Sequence, residues 1–319
     1  MKIIFFGTPE YVIPIASALH KKYRVPNSKE SGVVGVVTQP PKPAGRINKL
    51  QHSAVDIWAW ERKLTIVTEL ISTKLPKADL GIVAAYGKII PENIIKHFPK
   101  GILNLHPSLL PTFRGASPVQ AAIVTGTNPT GLTVIKMDKF MDHGPIVSSF
   151  KEDISSGDTT ETLRQRLFEK SAQFLVDLIP GYLNGKIKLK EQDHKKAIFT
   201  NTITREDGFI PPKYLRAAVK GEKVREKWQI RFIPKYNLKP TTYNIERFIR
   251  AMSSWPGAWT FLRLLRTEGQ AQKRLKILKA HVKDNNLILD EVQLEGKKPV
   301  SFDEFVRGYP RATLADEDM

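Results

Sequence analysis

Asn104 and His106 stand two residues apart at the end of an apolar run, GILNLH, that leads into PSLLPTFRG. In an extended chain, residues two apart project from one face. The amide and the imidazole therefore point the same way, roughly 6.6 Å apart at about 3.3 Å per residue. Leu103 and Leu105 face the other side. An amide can donate to a developing oxyanion, and an imidazole can carry a proton to or from a reacting group. Such a pair suits attack on a carbonyl carbon, although a strand end tied to its neighbouring backbone would read the same way. A carboxylate is needed to orient His106, and MDKFMDHGP offers Asp138 and Asp142. Asp142 precedes His143-Gly144-Pro145, a turn able to aim it inward, while either Asp alone reads as a turn former.

Other chemistries lack their residues. Cys is absent, which removes disulfides, thiolate nucleophiles, iron–sulfur clusters and Cys-ligated zinc. The segment GTPEYV after the first apolar run is neither a dinucleotide fingerprint nor a P-loop. The seven His are scattered without ligand spacing, so no metal is expected. Ser108 has no G-x-S-x-G setting.

The elements that must position these residues follow from pattern. Lys2–Phe6, Gly32–Thr38, Leu80–Ala85 and Ile102–His106 are apolar runs of strand length. Helix patterns at Tyr11–His20, Val55–Lys63, Pro91–His97 and Pro118–Thr125 alternate with them. Thr8-Pro9-Glu10 reads as a helix cap with Pro at the first helical position. Gly131–Met137 and Pro145–Phe150 read as a strand pair, and Thr159–Asn184 as a long helix. The alternation predicts an α/β domain with a mostly parallel sheet covered on both faces. Ligands of such sheets gather beyond the carboxyl ends of the strands, where Asn104 and His106 would sit. Glu191–Thr204 is polar and linker-like. Beyond it, SSWPGAW, Leu275–Val282 and Leu287–Leu294 suggest a smaller β-rich domain. The expected division is residues 1–190, a linker at 191–205, and residues 206–319.

The chain has 319 residues and a formal net charge of +18. Residues 205–283 hold 19 Lys/Arg against 6 Asp/Glu, a net +13, and residues 284–319 carry −5. A positive block of that density suits a polyanion or a highly charged solvated surface. MKIIFFGTPE is too short an apolar run for a signal peptide, and no run of 18 apolar residues predicts a membrane span. With no Cys, the expectation is a cytoplasmic protein without membrane association, read as a monomer. The acidic end, 315–319, reads as frayed.

Asn104-Leu105-His106-Pro107-Ser108-Leu109-Leu110-Pro111, followed by Arg114-Gly115, resembles the N-x-H-x-S-L-L-P-x-x-R-G motif of folate-dependent formyltransferases. KIIFFGTPE, AAYG at residues 84–87, MDHGP and VTQPPKPAGR extend the likeness over most of the chain. The last of these narrows the resemblance to the methionyl-tRNA formyltransferase family. That resemblance implies a Rossmann-like catalytic domain followed by an OB-like β-barrel that grips tRNA. It implies formyl transfer from 10-formyltetrahydrofolate to the α-amine of initiator methionyl-tRNA, with Asn104, His106 and Asp142 catalytic and no metal. Ser108, Leu109, Leu110 and Pro111, with Tyr86 and Gly87, correspond to the folate site. Arg46, with Lys42 and Lys49, corresponds to a tRNA-binding loop. Thr112, where the family often has a basic residue, and the long basic stretch Phe209–Tyr243 depart from the pattern. Three other readings share parts of it: a formyltransferase acting on a nucleotide sugar or a ribosyl glycinamide, a formyl-folate hydrolase, and a non-catalytic tRNA-binding protein.

Overall fold

The computed structural model describes residues 1–26, 28, 31–44, 49–266 and 269–314. Two compact units are present. The first comprises Met1–Gly115, Pro129–Asp153 and Arg164–Ile198. It is built on seven strands: β1 (Lys2–Phe6), β2 (Gly32–Val37), β3 (Thr65–Val67), β4 (Leu80–Val83), β5 (Ile102–His106), β6 (Thr130–Lys136) and β7 (Ile146–Glu152). Their order in the sheet is β7-β6-β5-β4-β1-β2-β3. The pairs from β5 through β3 are parallel, and β6 runs antiparallel to both β5 and β7. The expected α/β class and mostly parallel sheet are present. Ile3 to Phe6 and Leu80 to Val83 are buried throughout, as strands covered on both faces must be.

After β3 the chain returns to the other side of β1 to make β4, so the order reverses between β1 and β4. In such sheets the crevice for ligands opens beyond the carboxyl ends at that reversal. Three loops meet there. The Thr8 hydroxyl donates to the Tyr86 carbonyl (3.2 Å) and accepts from the Gln39 amide (3.4 Å), and the Gln39 side chain donates to the same carbonyl (3.1 Å). Thr8 is thereby diverted from the helix-capping role its sequence suggested. A short 3₁₀ turn, Glu10–Val12, comes first, and the helix runs from Ile13 to Tyr23 with Pro14 in its opening turn.

The second unit comprises Ala116–Asn128, Ile154–Leu163 and Phe199–Met319. Its sheet has strands β8 (Ala258–Arg266), β9 (Gly269–Lys283), β10 (Asn286–Leu294), β11 (Val300–Ser301) and β12 (Ala312–Leu314), in the order β11-β10-β9-β8-β12 and antiparallel throughout. Ile245, Phe248 and Ile249 of the helix Thr242–Ala251 are buried, as are Leu262, Leu275, Ile277 and Val292 of the strands. The basic stretch Phe209–Tyr243 forms the helix Pro212–Val219 and a ribbon pairing Trp228–Gln229 with Asn237–Leu238. The acidic end at 315–319 lies outside the described residues.

Candidate active site

β5 ends where the sheet turns from parallel to antiparallel pairing. Its register opposite β6 sets Asn104 against Ile135 and His106 against Thr133. Leu103 and Leu105 are buried on one face; on the other, Asn104 is partly exposed and His106 is 4% exposed. Asp142 reaches this pair from the loop between β6 and β7. Its Oδ1 accepts from Asn104 Nδ2 at 3.2 Å and lies 3.5 Å from His106 Nδ1, and its Oδ2 accepts from the Gly115 amide at 2.7 Å. Asn104 and His106 thus meet around the carboxylate of Asp142; the other candidate, Asp138, pairs with His143 instead.

His106 has an acceptor on each side. Its Nε2 lies 2.9 Å from the Phe113 carbonyl, and its Nδ1 faces Asp142. Both contacts are satisfied together when each ring nitrogen carries a proton. Phe113 has φ of +59° and Asp142 +48°. An Asp enters this left-handed region readily and a Phe does not. Strain of about 1–3 kcal/mol at a residue like Phe113 persists only where surrounding contacts fix it. Here the Phe113 carbonyl is held on the imidazole. Gly144, next but one after Asp142, has no room for a side chain, since an added Cβ would meet the Lys136 carbonyl.

The 107–113 loop is shaped by its own polar groups. Ser108 Oγ donates to the Thr112 carbonyl (2.6 Å), Thr133 Oγ1 donates to the Ser108 carbonyl (2.7 Å), and the Leu110 amide donates to Thr133 Oγ1 (3.1 Å). Ser108 is 1% exposed and Leu110 is buried, whereas Leu109 and Pro111 keep exposed surface. The Ser108 hydroxyl therefore holds the loop. The Tyr86 ring also turns inward, edge-on to Phe6 in the core around Ile4, Val37 and Ile94. Burial raises the Tyr86 phenol above its ordinary value. The surface left at this position is backbone, with Gly87 at φ +79° beside the Gln39 amide group.

Lys42 is exposed on a short strand, Lys42–Ala44, paired with Lys49–Gln51, and Arg46 lies outside the described residues. The polar segment read as a linker supplies two residues that the sequence reading missed. Gln192 is 5% exposed; its Nε2 donates to the carbonyls of Asp142 (2.9 Å) and Gly144 (2.7 Å). Its Oε1 accepts from Arg114 Nε (3.2 Å) and Nη2 (2.6 Å). His194 follows, with Nδ1 2.8 Å from Arg114 Nη2. A lone Gln or His in a run of charged residues carries no sequence signal. The RG step after SLLPTF pointed only to Arg114.

The chain has relatives among known proteins. Residues 1–179 match the family described as formyl transferase, and residues 237–288 match the formyl transferase C-terminal domain. The chain is 35% identical over 271 residues to a methionyl-tRNA formyltransferase of Chloroflexus aggregans, covering 82% of this chain and 77% of that protein. It is 36% identical over 265 residues to one of Buchnera aphidicola, covering 80% and 74%. Among solved structures, a methionyl-tRNA formyltransferase from Clostridium thermocellum matches with a TM-score of 0.53 at 20% identity, over 92% of this chain and 98% of that one. The sugar 3N-formyl transferase WlaRD matches with 0.58 at 17% identity, over 93% and 99%. At those identities the structural matches speak for the fold.

Proposed function

Since the chain belongs to the formyl transferase family, we propose that it transfers a formyl group from 10-formyltetrahydrofolate to the α-amino group of initiator methionyl-tRNA. The chemistry rests on the convergence of an amide, an imidazole and a carboxylate on one side of β5. The choice of acceptor rests on the methionyl-tRNA formyltransferases at 35–36% identity. The sugar-acting relatives are alike at the level of fold.

In this reading the free amine attacks the formyl carbon, and negative charge collects on the formyl oxygen. Asn104 Nδ2 and the Nδ1–H of the His106 imidazolium, which lies 3.5 Å from the carboxylate and turns from it to the new charge, are the donors to that oxygen. Nδ2 carries two hydrogens and gives one of them to Asp142, so the other is available. The amine acquires positive charge as it attacks, and the Asp142 carboxylate beside it offers a base for the departing proton. The N10 nitrogen of the folate must leave protonated, and His106 holds a proton on the same side. Leu109, Pro111 and the backbone at Tyr86-Gly87 provide surface for the folate. Lys42, with Lys49 and Arg46 of the same sequence stretch, serves the tRNA. The site is expected to act in a cytoplasmic monomer.

The test offers labelled 10-formyltetrahydrofolate with methionyl-tRNA, free methionine, glycinamide ribotide and a nucleotide-linked amino sugar in parallel. Label is expected on methionyl-tRNA alone. Preferential transfer to the amino sugar, or release of formate with every acceptor absent, would overturn the assignment.

A further inference from the structure

His143 and His194 lie face to face, with ring centroids 3.9 Å apart and planes 4° from parallel. Neither has a part in the chemistry above, yet the pair connects two charged clusters at the Asp142 loop. On one side, His143 Nδ1 lies 2.6 Å from Asp138 Oδ2. On the other, His194 Nδ1 lies 2.8 Å from Arg114 Nη2. A guanidinium has only donors, so that nitrogen of His194 must present its lone pair, and the ring is neutral with its proton on Nε2. The carboxylate of Asp138 fixes the opposite assignment for His143, whose Nδ1 donates.

From His194 the contacts run without a break to the backbone that carries the Asp142 side chain. Arg114 holds Gln192 through two donors, and Gln192 pins the carbonyls of Asp142 and Gly144. A proton on His194 Nδ1 would set N–H against N–H and add positive charge beside Arg114 and over His143. Two imidazolium rings at this separation repel, so the stack tolerates at most one. Resting on the reading of the Asp142 site as the formyl-transfer centre, we infer that the stacked pair His143–His194 is a positioning element. It holds the Asp142 loop in its working arrangement while His194 is neutral and lets it go when His194 takes up a proton.

The groups that bear on this titration can be named. His143 faces Asp138, the Phe140 ring edge-on, and His194, and Lys139 Nζ lies over the Phe140 ring. His194 faces Arg114 and His143, with Asp193 and Lys196 alongside it as an ion pair and Lys195 exposed. Burial lowers the Arg114 value, opposed by the carboxylates of Asp142 and Asp138, and the guanidinium stays charged across the working range. In the chain of contacts from His194 through Arg114 and Gln192 to Asp142, His194 is thus the neutral acceptor that can take up a proton.

The experiment measures single-turnover formyl transfer at saturating substrates between about pH 5 and 8 for the wild type and His194→Asn. The Asn oxygen can accept from Arg114 as Nδ1 does, but it does not titrate. The wild-type acid limb is expected to fall with a slope near two protons and that of the variant near one. At about pH 5.5 the variant should then retain roughly threefold to tenfold more of its plateau rate. Superimposable normalised profiles would overturn the inference. A second arm needs no activity: the nitrogen-15 spectrum of the wild-type imidazoles near neutral pH should show His194 Nδ1 without its proton. A protonated Nδ1 would sink the inference even in an active enzyme. A wild type that transfers no formyl at any pH would remove the functional reading instead, and the spectrum would still decide the stack.

Discussion

At the scale of single residues, Asp142 is the junction of the site. One oxygen serves the Asn104 amide and faces His106, and the other takes the Gly115 amide. An amide in its place has one acceptor where the carboxylate has two, and its NH₂ group would face a donor whichever way it turned. Asp142→Asn should therefore misplace Asn104 or the Gly115 loop as well as remove a base. A loss of about 10²–10³ in kcat is expected, the scale found when one group that stabilises a transition state is removed. Folate affinity, which the proposed function assigns to Leu109, Pro111 and backbone, should change little. Stopped-flow transfer with equilibrium binding of a folate analogue separates the two effects. A variant that binds folate poorly yet turns over at the wild-type rate would contradict this assignment.

At the scale of elements, what the sequence made legible was whatever its period reports. Apolar runs marked β1, β2, β4 and β5, and the alternation with helices gave the sheet its class. Strand geometry coupled Asn104 to His106, whereas Asp142 was set apart from Asp138 by the resemblance of MDHGP, because either Asp alone reads as a turn former. Facing was less legible. The resemblance assigned Ser108 and Tyr86 to a folate site, and tertiary packing turned the hydroxyl to the Thr112 carbonyl and the ring into the core. Gln192 was hidden in a polar run because hydrogen bonds to distant carbonyls have no period. The edge of the first unit's sheet carries a further consequence. Glu152 at the end of β7 is paired by Arg166 (2.8 Å) and Lys170 (2.6 Å). Burial pushes its carboxyl up, but the hydrogen bonds and charges of Lys170 and Arg166 together bring it below the ordinary value of 4.5. Because the folded value is depressed, the pair stabilises the fold above that ordinary value, and the stability fades as pH falls through the folded one. With Lys170 largely solvated, a contribution of roughly 1 kcal/mol is expected. Glu152→Gln should lower the thermal midpoint by about 2–4 °C at neutral pH. The difference should shrink on acidification, and calorimetry showing it grow would contradict the sign.

At the scale of the whole molecule, the charge is distributed by segment: residues 205–283 hold +13 of the net +18. Much of the acid in that block is spent locally. Glu226 pairs with Lys213, Glu222 with Lys220, and Glu246 with Arg250. On β9, by contrast, Leu275 and Ile277 are buried while Lys273, Arg274 and Lys276 are exposed between and beside them. Among the described residues, Lys273 and Lys276 make no ion pair, whereas Lys279 is held by Glu291 at 2.9 Å. That contrast makes the polyanion argument testable without touching the catalytic site. Phosphate contacts release counterions, so binding of methionyl-tRNA should weaken about 10²-fold between 50 and 200 mM salt for roughly four contacts. Each of Lys273→Ala and Lys276→Ala should reduce the slope of log affinity against log salt by about one. Lys279→Ala should do less, because its charge is already balanced by Glu291. Fluorescence titration of labelled tRNA at four salt concentrations reads these slopes directly. Equal effects from all three lysines would mean that net charge alone governs binding, and an unchanged slope in the first two would move the tRNA contact off β9.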